Sequence, residues 1–93
     1  MSVEARVEGF AALADPIRLA ILAQLSGGAE HCVCELLSDC GVAANLLSYH
    51  LAVLRRAGLV TARRRGRWVD YHLVPEALEA LRQAVPGDEG GAR

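Results

Sequence analysis

The chain has 93 residues, enough for one domain but too few to bury a large core, so it should gain from pairing with a second copy. Hydrophobic residues make up 53% with one Phe and one Trp, which points to a core of Ala, Leu and Val. Charged residues at 23% exclude a disordered chain, and no apolar run approaches the ~18 residues that a membrane span needs.

The net charge of −1 hides an uneven distribution. All ten basic residues are Arg, and six of them lie with a single acid, Asp70, between Gly41 and Pro75. The rest of the chain carries four Arg and ten acids. Such asymmetry predicts an anionic partner for the middle of the chain, the alternative being a solvated charged face. The start, Met1-Ser2-Val3-Glu4-Ala5-Arg6, does not read as a secretory signal, so a cytoplasmic protein is expected. Three Cys within nine residues suit metal or redox chemistry better than a disulfide framework.

Residues 3–14 read as an Ala-rich helix with Val7, Phe10, Ala11 and Leu13 apolar. Asp15-Pro16 then restarts a helix, since Asp is a good N-cap and Pro suits the first helical position. Ile17, Leu19, Ile21, Leu22 and Leu25 make this second helix central, and Ser26-Gly27-Gly28 ends it. A third helix is predicted over about Cys32 to Cys40, with Val33, Leu36, Leu37 and Cys40 on one stripe. Gly41 turns the chain into a fourth, over about Ala43 to Ala57. Its inward stripe is Leu47, Leu51 and Leu54, and its outward face holds Ala44, Asn45, Ser48, Tyr49, Ala52, Arg55 and Arg56. Leu59 to Arg64 and Trp68 to Leu73 read as two strands around Arg65-Gly66-Arg67, with Val69, Tyr71 and Leu73 on the buried side. Pro75-Glu76 opens a last helix carrying Leu78, Leu81 and Val85, and residues 86–93 form a frayed tail.

Two helices joined by a tight turn and followed by a β-hairpin make a winged helix-turn-helix, mainly α with a small hairpin, in the order α-α-α-α-β-β-α. Residues 1–93 are one domain, with the helix-turn-helix over 31–57 and the wing over 59–74. This is an arrangement that reads double-stranded DNA. Asn45 can pair with adenine and Ser48 with several bases in the major groove. Arg55 and Arg56 are placed for phosphate contact, and Arg63, Arg64, Arg65 and Arg67 for the backbone or minor groove. Ala44 and Tyr49 share the outward face, although Tyr49 also reads as plain surface. His50, at the edge of the apolar stripe, is expected to be packed and hydrogen-bonded. Trp68 is expected in the core or an interface.

The stretch from Ala11 to Ala80 resembles the ArsR/SmtB family of dimeric winged-helix repressors. The matching pieces are Ala12-Leu13-Ala14-Asp15-Pro16-Ile17-Arg18-Leu19-Ala20-Ile21-Leu22, Cys32-Val33-Cys34-Glu35-Leu36, Leu47-Ser48-Tyr49-His50-Leu51 running on to Val60, and Gly66-Arg67-Trp68-Val69-Asp70-Tyr71. The resemblance implies a homodimer built from the first helix (1–14) and the last (75–85), with Val7, Phe10, Leu78, Leu81 and Val85 at the interface. It also implies a palindromic operator and release by a ligand, with no cofactor for DNA binding, no membrane and no enzyme activity. The chain departs from the family in having Ala43 where Ser or Thr commonly opens the recognition helix, and Cys40 where an apolar residue is usual.

Cys32-Val33-Cys34 resembles the branch that responds to trivalent arsenic or antimony, in which a third Cys follows three residues later; here that position is Leu37. On an ideal helix Cys32 and Cys34 diverge by ~200° and cannot grip one ion, whereas extended residues two apart share a face. Cys40, roughly 9 Å further along a helix, reads as a core thiol or as a third ligand reached only by distortion or from a partner chain. Soft thiolates suit As(III) and Sb(III), and also Cd, Pb or Zn. His31 can serve a harder metal or lie in solvent. The last helix lacks the spaced Asp/His/His/Glu set of the family's zinc sensors. Two other readings remain: a thiol-based redox or persulfide-sensing repressor of the same fold, and a small thiol enzyme, for which the chain offers no CxxC pair.

Overall fold

The computed structural model describes residues 2–26, 31–32 and 41–86. In chain order these form α1 (Val3–Leu13), α2 (Pro16–Leu25), β1 (His31–Cys32), α3 (Ala44–Arg56), β2 (Val60–Arg65), β3 (Trp68–Leu73) and α4 (Pro75–Ala84). None of these helices is long and apolar enough to cross a membrane.

Local chemistry sets the helix ends. Ser2 Oγ accepts the Ala5 N–H at 3.0 Å and opens α1. Asp15 Oδ1 accepts the N–H groups of Ile17 and Arg18 at 2.8 and 3.1 Å, with Pro16 in the first helical position, so α2 starts as the sequence predicts. α3 begins at Ala43 without a side-chain cap, again as its sequence predicts. It ends where Gly58 adopts φ +80°. There the Gly58 N–H donates to the Arg55 carbonyl at 2.9 Å and the Leu59 N–H to the Leu54 carbonyl at 3.0 Å. These two bonds are a Schellman stop, which needs a left-handed residue at the glycine. The stop delivers Leu59 and Val60 into the core, so the wing leaves from a fixed point.

That core joins Ile21, Leu22 and Leu25 of α2 to Leu47, Leu51 and Leu54 of α3, with Ala12 of α1 and Leu81 of α4 closing it. Gly9 is buried where α1 meets α4, and a Cβ there would lie 2.9 Å from Leu81 Cδ2.

Two departures from the sequence reading concern β1 and β3. Cys32, predicted to open a helix over residues 32–40, instead forms β1 with His31. This strand pairs antiparallel with β3, His31 opposite Tyr71 and Cys32 opposite Asp70. The sheet order is β1-β3-β2. A short strand thus occupies the edge of β3 that β2 leaves bare, and exposed strand edges are commonly covered in this way. Residues 33–40, with Cys34 and Cys40, lie outside the described residues, as do residues 87–93 of the predicted tail. The second departure is the pattern of β3. Strict alternation predicts Asp70 on the solvent side, yet Asp70 is the most buried residue of the strand, 4% exposed.

The close approach of α1 and α4 gives a stability test. Gly9→Val puts a branched side chain where Leu81 already sits. It should destabilise the fold by about 1–3 kcal/mol, the usual penalty for overpacking, measured by urea denaturation at fixed protein concentration.

Candidate nucleic-acid interface

The inner stripe of α3 is withdrawn from solvent, with Leu47 and Leu54 at 0% exposure. Its opposite face carries Ala44, Asn45, Ser48, Tyr49, Ala52, Arg55 and Arg56, every one exposed. The predicted division of this helix into a core side and a polar ridge is therefore the observed one. Arg55 and Arg56 lie in the last turn, where cationic side chains also suit the negative end of the helix dipole. With no cap at Ala43, the N–H of Leu46 is taken by Asn45 Oδ1 at 3.0 Å. Asn45 thus has its carboxamide oxygen engaged with the backbone, and its side-chain N–H groups are not part of that bond.

β2 continues from the Schellman stop, and α3 packs against it. The hairpin closes through Gly66 and Arg67, with Arg65 opposite Trp68. Gly66 has φ +61°, as the first residue of a tight two-residue hairpin turn requires. Arg63, Arg64, Arg65 and Arg67 are all exposed. Arg63, Arg64 and Arg65 line a polar cleft of about 300 Å³ with Asp70.

Arg65 differs from its neighbours. Its Nε and Nη2 donate to the two carboxylate oxygens of Asp70 at 2.7 and 3.2 Å. A bidentate pair of this kind is directional and strong. Its guanidinium ties the tip of β2 to the middle of β3 while its side chain stays largely exposed. The same pair explains the burial of Asp70. Its hydrogen bonds with Arg65 hold its carboxyl below the usual carboxylate range, against the opposing effect of burial. The lone acid within the arginine run was the signal for this pairing. Trp68 is not in the core; it is 46% exposed at the base of the turn.

His50 is buried and hydrogen-bonded, as predicted: Arg18 Nη1 lies 3.1 Å from its Nδ1. Cys32 stands in the edge strand opposite Asp70. Among the described residues no group of three or more His, Cys, Asp or Glu could hold a metal ion.

An apolar groove of about 360 Å³ opens between α1, α2 and α4. Phe10, Leu78 and Val85 line it, as do Leu13, Leu19 and Leu22. Val7 and Val85 are exposed, and Leu78 is half-buried. Leu81 lines the groove but is itself 3% exposed and packed on Gly9, so it belongs first to the chain's own core, not to an open face. Leu19, expected with the apolar residues of a central helix, is 51% exposed. Its position off the Ile21–Leu25 stripe of α2 was the available sign.

The Asp70–Arg65 pair gives a pH test. A carboxyl held low in the folded state binds fewer protons than in the unfolded chain, so its stabilisation is present above the ordinary carboxylate value, about 3.9, and lost as pH falls through the lower folded value. The stability gap between the wild-type chain and Asp70→Asn should therefore be open at neutral pH and close progressively below about pH 4, followed by denaturation across pH.

The family described as bacterial regulatory protein, arsR family, matches residues 15–62. An uncharacterised helix-turn-helix transcriptional regulator of Methanocaldococcus jannaschii is 34% identical over 88% of this chain and 92% of its own length. The arsenical resistance operon repressor of Escherichia coli K12 is 41% identical over 81% of this chain, which spans 64% of that repressor. The crystal structure of an ArsR family transcriptional regulator, RHA00566, superposes with a TM-score of 0.81 at 28% identity, covering 90% of this chain and 86% of that one. Homologues and fold alike are those of transcriptional regulators and not of enzymes. The chain belongs to the arsR (ArsR/SmtB) family of helix-turn-helix regulatory proteins.

Proposed function

We propose that the chain is a transcriptional repressor that binds a palindromic DNA operator as a homodimer and is released when a thiophilic ion binds Cys32 and Cys34. The observation that carries the DNA reading is α3 itself. One face is fully committed to the core, and the opposite face is a continuous ridge of exposed polar and basic residues that runs on into an arginine-bearing wing. Asn45, Ser48 and Tyr49 would face base edges. Arg55, Arg56, Arg63, Arg64 and Arg67 would face phosphates. Arg65 would shape the wing that presents them.

A second copy is the proposed occupant of the apolar groove beside Phe10, Leu78 and Val85. Leu19 within it is 51% exposed and Val7 on α1 is a further exposed apolar residue, and a small domain has few other ways to bury such a surface.

The proposed inducer is trivalent arsenic or antimony, with cadmium, lead and zinc as further candidates. Support comes from the Cys32-Val33-Cys34 spacing and from the Escherichia coli relative, named for arsenical resistance. Cys32 lies on strand backbone, and extended chain is the conformation in which residues two apart share a face. The pairing of Cys32 with β3 also offers a route to the wing that the sequence did not suggest.

Operator retardation under reducing conditions tests this. Arsenite should weaken binding by about 10-fold or more, within the usual range of allosteric coupling, and operator DNA should weaken arsenite binding by the same factor. Cys32→Ser and Cys34→Ser should each bind DNA normally and lose the response. Release by arsenite in both variants, or a response to peroxide with none to arsenite, would overturn the inducer assignment. Phe10→Glu should yield monomers in sedimentation; a stable dimer would overturn the assignment of the groove.

A further inference from the structure

One buried polar contact on α3 is not used by the DNA-facing ridge. We infer that the Arg18–His50 hydrogen bond sets the roll of α3 against the α1–α2 joint, which makes both side chains positioning residues for base recognition. This rests on the DNA-binding reading above.

Arg18 is held at both ends. Its backbone N–H donates to the capping Asp15 Oδ1 at 3.1 Å. Its Nε donates to the Ala12 carbonyl at 2.7 Å and its Nη2 to the Ala11 carbonyl at 3.4 Å, so it ties down the end of α1. The remaining arm, Nη1, reaches His50 Nδ1 on α3 at 3.1 Å. One planar fork therefore joins three helices. A guanidinium can only donate, so Nδ1 accepts and the imidazole proton sits on Nε2. Asp15 Oδ1 lies 4.0 Å from the same Nδ1, beyond hydrogen-bond reach.

The leucine stripe beside this contact decides which face of α3 is buried but fixes its exact roll less sharply than a directional bond. Apolar contact is non-directional, and a smooth Leu47–Leu51–Leu54 surface tolerates small rotations of the helix. A hydrogen bond falls off steeply with angle. His50 also meets the ring of Tyr49 edge-on, with centroids 5.1 Å apart. Tyr49 is on the exposed ridge, so the fork is linked to the reading face through one side chain. A rotated α3 would still carry its charges to phosphate but would misplace its base-reading groups.

The test compares the duplex that the wild-type protein enriches from a randomised pool with a scrambled duplex of equal length. Arg18→Lys and His50→Leu should each lower the affinity ratio by roughly 10-fold, the scale of one well-placed base contact. The salt slope of binding, set by phosphate contacts, should stay unchanged. His50→Asn places Oδ1 where Nδ1 was and should keep the ratio within about 3-fold, since the acceptor is retained. The double variant Arg18→Lys/His50→Leu should be no worse than the worse single one. Equal loss toward both duplexes, losses that add, or an unchanged ratio in Arg18→Lys would overturn the inference and leave DNA binding standing. A wild-type protein that binds no duplex would sink both.

Discussion

Leu47, Leu51 and Leu54 lie about one helical turn apart and are almost wholly removed from water, and this burial decides which side of α3 remains open. Once those side chains face α2 and the base of the wing, Asn45, Ser48, Tyr49 and the two terminal arginines have nowhere to go but outward. The Schellman stop at Gly58 then places Leu59 and Val60 in the same core. Helix and hairpin therefore share one apolar foundation, and a disturbance of that foundation would reach both.

Polar contacts add direction to this apolar base. The Arg65–Asp70 fork fixes one strand of the wing against the other, and the Arg18 fork fixes the helices against one another. In both cases a planar guanidinium makes several hydrogen bonds at once, which an ammonium on a flexible stem does poorly. A chain whose ten basic residues are all arginine has this tool wherever it places a cation.

Much of the fold was legible because its signals are local. Asp15-Pro16 announces a helix start through its own capping chemistry, and the leucine spacing of α3 gives its buried face directly. What was not legible depends on distant pairing. β1 is two residues long and exists only because β3, some 40 positions later, offers an unpaired edge. No periodicity can appear in two residues, so the helical pattern further along reads straight over Cys32. Alternation places Asp70 outward, a rule that knows nothing of the arginine five residues earlier. The apolar stripe of α4 shows that Leu81 faces inward but not that the missing side chain at Gly9 lets α1 pack directly on it.

Trp68 is the only indole in the chain, and it stands partly open to water at the foot of the hairpin turn, opposite Arg65. The core contributes no second tryptophan to its ultraviolet emission. The molecule thus carries a built-in optical probe of its own wing, whose colour and quenching can follow events at that hairpin without any attached dye.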